Sequence, residues 1–380
     1  MSDETVIRLC DPEDCTGCEA CRSICPTKSI QMLPNGNLLA ELPYINEDTC
    51  IKCHACENTC PVLHPLKLRK ATKSFAAIAN DPIVNSTSTS GGVAATISDW
   101  CIRNGGVVYG AVSEGMEVYH KRCVDHKDLK ALRGSKYVKS SLKDSYSEAK
   151  SDLKNDRSVV FFGTPCQIAG LKAFLKKDYD NLITVDLVCH GTPSQELFKH
   201  HVKKIIGNKE VSRVAFREDG YKMRIYEGSN VVYENNLWKQ RFKDAYYSAF
   251  YIACSSFRDS CYNCRYAGNV RVSDITIGDF WGLDESVIFS RKPTGISLIL
   301  PITEKGINII DSLKDDLEMH ERPVEEAIKG NSQLKHPSSL SFPAKIFRKL
   351  YSTGFSLKSA LKIAYLPVIP IYYLKSKFSK

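Results

Sequence analysis

Two cysteine runs of identical spacing stand near the amino end: Cys15, Cys18, Cys21 and Cys25 before Pro26, then Cys50, Cys53, Cys56 and Cys60 before Pro61. In each run three thiolates set three apart can grip three irons of a cubane from one tight loop, while the fourth, just before proline, reaches the neighbouring cluster. The spacing predicts two 4Fe-4S clusters, one on Cys15, Cys18, Cys21 and Cys60, the other on Cys50, Cys53, Cys56 and Cys25. Zinc is the competing reading, but structural zinc sites use two separated Cys-x2-Cys pairs more often than a triple followed by Cys-Pro. The chemistry expected of such a pair is one-electron transfer.

Eight cysteines lie outside these runs. Cys101 falls in a helical stretch and Cys123 in an extended one, and both read as small buried apolar residues. Cys10 reads as incidental. Cys166 opens a helix after an apolar run, in Gly163-Thr-Pro-Cys-Gln167, and Cys189 closes another such run in Val188-Cys-His-Gly191. Cys261 and Cys264 are spaced as a chelating pair. Together these make four thiolates, the complement of a third 4Fe-4S cluster. Core packing, or a nucleophile beside His190, is the alternative for Cys166 and Cys189, and Cys254 competes for one ligand position.

An α/β body must position them. Residues 75–79, 106–112, 158–162 and 182–188 read as buried strands, and 93–103, 144–154 and 165–176 as helices, the last with proline at its first position. Such alternation predicts a parallel or mixed sheet with Cys166 and Cys189 at its carboxyl edge, where α/β proteins build sites. Residues 211–233 read as short strands, and Pro34-Asn-Gly-Asn37 as a hairpin turn. The expected organisation is an α+β ferredoxin-like dicluster domain over 1–70, an α/β domain over 71–336 with a small β-rich insertion, and a helical basic tail over 337–380.

At 43% hydrophobic and 25% charged residues, the 380-residue chain can bury a core without disulfides. Met1-Ser-Asp-Glu4 does not resemble a signal peptide, so the cytoplasm is expected, where patterned cysteines bind metal or do redox chemistry. The net charge of +9 is concentrated in residues 341–380, which hold eight Lys and Arg and no Asp or Glu, so a nucleic-acid footprint over the whole chain is not expected. No uncharged run reaches the roughly 18 residues of a spanning helix.

The same segments resemble the coenzyme F(420) hydrogenase/dehydrogenase beta-subunit family, in its bacterial branch with a fused N-terminal ferredoxin. The resemblance is carried by Ser88-Thr-Ser-Gly-Gly92, Arg133-Gly-Ser-Lys-Tyr-Val138, Gly163-Thr-Pro-Cys-Gln167, Cys189-His-Gly-Thr-Pro-Ser194, Ser260-Cys-Tyr-Asn-Cys264 and Asp274-Ile-Thr-Ile-Gly-Asp-Phe-Trp-Gly282. It implies an iron–sulfur flavoprotein with FAD and a 4Fe-4S cluster in one α/β domain, and it favours Cys166, Cys189, Cys261 and Cys264 as ligands. Nothing in the sequence identifies a deazaflavin pocket.

FAD would convert one-electron flow into hydride chemistry, and the protein must hold its pyrophosphate and ring. Ser90, Gly91 and Gly92 open an apolar helix, whose free N–H groups and dipole suit phosphate; a plain N-cap and loop is the alternative. Gly134, Ser135, Lys136 and Tyr137 follow Arg133 in a basic turn that offers cations to phosphate and a ring for stacking, or else is a solvated loop. No G-x-G-x-x-G occurs, so a Rossmann-type site has no support. His190 is a candidate for proton transfer, and Asp274 and Asp279 for turn capping; no residue is assigned as catalytic.

In the tail, Ile346, Leu350, Gly354, Leu357, Leu361 and Ala364 recur at helical spacing, followed by an uncharged Tyr-rich stretch over 363–374 broken by Pro367 and Pro370. A basic amphipathic helix could rest on anionic lipid, giving peripheral membrane contact, or dock on a partner. The expected function is an iron–sulfur flavoprotein oxidoreductase with three 4Fe-4S clusters and FAD. It would exchange electrons with a redox partner protein or reduced ferredoxin and hydride with an unidentified organic acceptor. Its rival is a non-catalytic electron-transfer subunit.

Overall fold

The β-branched and aromatic runs that read as buried strands become the middle of one sheet. In the computed structural model, which describes residues 6–240 and 242–366, eight strands lie in the order Leu317–Arg322, Ser74–Ala79, Ser297–Pro301, Ile275–Asp279, Leu182–Leu187, Val159–Gly163, Val107–Glu114 and Glu117–Cys123. Neighbouring strands among Ile275–Asp279, Leu182–Leu187, Val159–Gly163 and Val107–Glu114 pair parallel. The outer pairings are antiparallel, so the sheet is mixed.

Both faces are covered, which is why the central strands are apolar at successive positions. Val107, Tyr109, Val159 and Phe161 face the helices Ser145–Lys154 and Pro165–Leu175. Val108, Val160, Ile183 and Ile275 pack on the opposite side against Val93–Arg103 and Glu304–Ser312. Cys18 and Ala20 belong to the first of these clusters, so the leading cysteine loop is embedded in the core of the α/β body.

The ferredoxin-like part has the expected hairpin, Ile30–Pro34 paired antiparallel with Glu41–Ile45. Residues Arg69–Lys70, at the expected boundary between the first two segments, pair with Val270–Arg271. The strands expected over 211–233 form an antiparallel meander of Arg213–Glu218, Lys222–Glu227 and Asn230–Asn236.

The tail departs from a single amphipathic helix. It breaks at Gly354, whose φ of 93° suits glycine, into Phe342–Ser352 and Leu357–Tyr365. Phe347, Ala360, Leu361, Ala364 and Tyr365 are buried together with Ala249 and Ala253, and the Tyr365 hydroxyl donates to Ala253 O at 3.0 Å. This face is spent on the protein itself. Most of the Tyr-rich stretch lies outside the described residues. No helix among the described residues is long and apolar enough to cross a membrane.

Candidate electron-transfer site

The two cysteine loops share a backbone design as well as a spacing. Gly17 and Lys52, at matching positions, have φ of 61° and 53°; Glu19 and His54 match likewise at 57° and 56°. All four lie in the left-handed region and three of them are not glycine, which is uncommon and marks a built feature. Alternating the chain in this way turns successive N–H groups into a concavity suited to anions. A short helix follows each loop at the same place, Ala20–Ile24 and Ala55–Asn58.

Thiols of the first predicted set lie within reach of one another. Cys21, pushed up chiefly by burial, also feels the charges of Cys18, Cys15 and Cys60. Burial likewise pushes Cys18 up to about 12, with Cys15, Cys166 and Cys60 adding to the rise. Cys10 is not incidental: its thiol hydrogen-bonds with both Cys15 and Cys60 and lowers the pKa of each. For the second set, Cys25, Cys50, Cys53 and Cys56 line one small cavity together with Ile7, Ile30, Ile45 and Ile51. Cys25 thus leaves its own run to join the other, as the spacing argument requires. All sixteen cysteines of the chain are free thiols. Among the described residues, no three His, Cys, Asp or Glu side chains converge to grip a single metal ion. A cubane takes one thiolate per iron, so its ligands stand farther apart.

The parallel strands carry the third set to the sheet's carboxyl edge. Val159–Gly163 ends at the turn leading to Cys166, and Leu182–Leu187 ends just before Cys189. Burial raises the Cys189 thiol, and the charges of Cys261, Cys166 and Cys264 raise it further. Cys264, at about 11, is raised by burial and then by Cys166 and Cys261. Cys254 is raised by burial alone, to about 11, with no thiol acting on it. The four cysteines favoured by the resemblance therefore lie within electrostatic reach of one another, whereas none of them acts on Cys254. Burial penalises the Cys166 thiolate, yet the charge of Lys139 and hydrogen bonds from Thr164 and Lys139 outweigh it and hold its pKa low.

Several residues that the sequence did not single out join the first and third sets. The Tyr146 hydroxyl lies 3.0 Å from Cys18 O and 2.6 Å from Gln167 O, linking the two loops. Gly170 makes the approach close: a Cβ there would come within 2.9 Å of Cys18 Cβ and 2.8 Å of the Tyr146 hydroxyl oxygen. Arg258 donates to Cys15 O at 2.7 Å, and Ser260 Oγ donates to the same carbonyl at 3.0 Å. Gln167 Nε2 donates to Ser140 O at 3.0 Å, fixing the Cys166 turn against the 139–140 segment. Tyr146, Gly170 and Arg258 carry no sequence signal, because their role arises only from packing between distant segments.

The two segments expected to hold flavin are neighbours. Arg133 Nη1 donates to Thr87 Oγ1 at 3.0 Å, and Thr89 Oγ1 and Ser135 Oγ lie 3.3 Å apart. The N-cap of Val93–Arg103, Gly92, makes no side-chain cap bond. Gly134, at φ 80°, has open space where a Cβ would stand. Other members are occupied by the fold. Gly91 lies where a Cβ would meet Ala77 O at 2.1 Å, and Ser90 and Gly91 are bonded to Ile296 O and Ser297 Oγ. Lys136 gives all three donors to the carbonyls of Ala131, Leu132 and Arg133, at 3.1, 2.8 and 2.9 Å. It caps a helix end and has no donor left for phosphate. Tyr137 packs among Phe216, Tyr247, Phe250 and Tyr251. Asp279 ends the strand Ile275–Asp279 and pairs with Arg217 at 2.9 Å, whereas buried Asp274 accepts from Thr184 and Thr303. His190 is exposed beside Cys189.

A mixed α/β sheet carrying cysteine-rich loops at its carboxyl edge, with a repeated cysteine loop buried against it, defines an iron–sulfur electron-transfer protein. Residues 156–327 match the model for the coenzyme F(420) hydrogenase/dehydrogenase beta subunit, C terminus, and residues 14–63 match the 4Fe-4S dicluster domain. The chain is thus similar to that beta subunit over residues 156–327, and it carries a dicluster ferredoxin match on the N-terminal side of that segment. No curated protein matches it. Among solved structures it resembles a chain of the F(420)-reducing nickel–iron hydrogenase complex from Methanosarcina barkeri, at 17% identity and a TM-score of 0.45, covering 79% of this chain and 92% of that one.

Proposed function

We propose that the protein is an iron–sulfur flavoprotein oxidoreductase. In this reading Cys15, Cys18, Cys21 and Cys60 hold one 4Fe-4S cluster, Cys25, Cys50, Cys53 and Cys56 a second, and Cys166, Cys189, Cys261 and Cys264 a third. Three segments divide these roles: the dicluster domain over 1–70, the α/β domain over 71–336 and the tail over 337–380. The clusters would supply one-electron steps, and FAD beside the third would couple them to hydride exchange with an organic acceptor.

The observation that carries the reading is the chain of thiols. Cys53 is exposed to an outside donor, and Cys18, in the next set, interacts with Cys166 of the third. This chain's own residues would admit a one-electron partner at one end and shield the middle. Flavin phosphates would meet the uncapped start of Val93–Arg103 and Arg133, with Gly134 giving the close approach; Ser90, Gly91, Lys136 and Tyr137 would shape that pocket from behind. Membrane contact would fall to the exposed Phe342, Ile363 and Leu366 of the tail beside its lysines, in a protein working in the cytoplasm.

A second reading, a subunit that carries electrons without flavin, is favoured by the commitment of Lys136 to backbone carbonyls. Anaerobic purification with iron and flavin measured together separates the two. About twelve irons and one FAD per chain support the oxidoreductase. Iron without flavin supports the carrier.

A further inference from the structure

Lys139 is 7% exposed, and its Nζ lies 3.3 Å from Cys166 Sγ. Among the described residues this is the one hydrogen bond its ammonium makes. Glu19 senses its charge, but the Glu19 oxygens are bonded to Arg22 Nε at 2.9 Å and Leu142 N at 3.0 Å. A buried ammonium without a paired anion is costly, so its neighbour must be negative. The neighbour is the third thiolate set. A second buried cation, Arg258, 4% exposed, stands on the ferredoxin side. It is partly balanced there, because its guanidinium bonds to Cys15 O and Glu41 O, with the Glu41 carboxylate 3.9 Å away. The uncompensated positive charge therefore lies against Cys166.

We propose that Lys139 is a positioning residue that raises the reduction potential of the Cys166, Cys189, Cys261 and Cys264 site, readying it to accept an electron passed from the first set, whose Cys18 packs in the same core cluster that Cys166 borders. An electron added there increases negative charge, and a fixed cation at short range in a low-dielectric interior stabilises the reduced form. Backbone placement supports the role. Lys139 N donates to Pro193 O at 2.9 Å, and Gln167 clamps Ser140, so the ammonium is held at the turn and not swung in from solvent.

The inference rests on the three-cluster reading, which the iron count of the unaltered protein tests separately: about eight irons would sink that reading before any variant is made. The test is an anaerobic redox titration of the full chain, followed by electron paramagnetic resonance, for wild type, Lys139→Met and Lys139→Arg. With iron retained, Lys139→Met should move one midpoint of three to lower potential and leave two in place, and Lys139→Arg should stay close to wild type. Loss of about four irons from Lys139→Met but not from Lys139→Arg also supports a need for charge. Unmoved midpoints in a fully loaded Lys139→Met protein overturn the proposal. So does equal iron loss in both variants, since packing would then be the whole role. Lys139→Gln, neutral but polar, is read by the same criteria as Lys139→Met.

Discussion

His120 shows how burial of a single side chain writes a pH dependence into the fold. Its ring is buried, stacks on Phe161 at 5.3 Å, and is fixed by Phe162 O at 2.8 Å and Ser140 Oγ at 3.1 Å. Burial pushes its pKa from 6.5 down to about 4. The unfolded chain therefore binds the proton first as pH falls, and stability must drop between about pH 6.5 and 4. The loss approaches about 3 kcal/mol at the lower limit. Denaturant unfolding of the anaerobic protein at pH 7 and pH 5 should show about 2 kcal/mol of this loss in wild type and a flatter response in His120→Gln. Gly170 illustrates a different residue-level constraint, since a Cβ there meets Cys18 and Tyr146 with no room to yield. Gly170→Ala should cost about 1–3 kcal/mol through overpacking, read as a lowered melting temperature. An unchanged melting temperature would mean the two loops are not held together there.

At the scale of elements, the tail helices illustrate an amphipathic pattern serving the interior. Phe342–Ser352 starts at Ser341, whose Oγ accepts from Ala344 N, and buries Phe347 completely. Arg348 reinforces the docking by donating to Phe257 O at 2.6 Å, two residues from Asp259 at the start of the short turn that leads to Cys261. Phe347→Ala should destabilise the protein by about 3–5 kcal/mol, as for other large core truncations. Calorimetry of the variant would detect it, and a change under about 1 kcal/mol would show that the face is not buried in solution. Because the same helix braces the segment before Cys261, loosening should also speed iron loss from the proposed third cluster. The repeated cysteine loops make the opposite point. Their left-handed residues recur at matched positions although Gly17 is replaced by Lys52 and Glu19 by His54, so the backbone path, not the side chains between the cysteines, is what the two loops share.

Over the whole molecule, the set holding Cys53 is the most exposed and the set holding Cys15 the most buried, with the third set half-buried. Cys53 is exposed, Cys25 and Cys50 are half-buried and Cys56 is buried, whereas Cys15, Cys18 and Cys60 are buried and Cys21 is half-buried. Iron held by the outer set should be removed first. Incubation with a strong iron chelator under anaerobic conditions is expected to release about four irons in a fast phase and the remainder several-fold more slowly. A single phase for all the iron would contradict this gradient. The outer set is also where a donor protein would meet the chain, since it alone has an exposed cysteine and most of the first set is buried against the α/β body.

The cysteine spacing by itself determined that the N-terminal segment is a dicluster ferredoxin domain, because a tight loop leaves few ways for three thiolates and a Cys-Pro to point. Alternating apolar runs determined the central strands and placed Cys166 and Cys189 at one edge, with boundaries close to those observed. Local pattern could not reveal that Cys10 touches Cys15 and Cys60, that Lys136 is taken up by carbonyls, or that the tail's apolar face is used internally. Nor could it pair Lys139 with Cys166 or bring Tyr146 and Gly170 against Cys18. These are contacts between segments far apart in the chain, and only closing the sheet and burying the first cysteine loop against it decides which side chains meet.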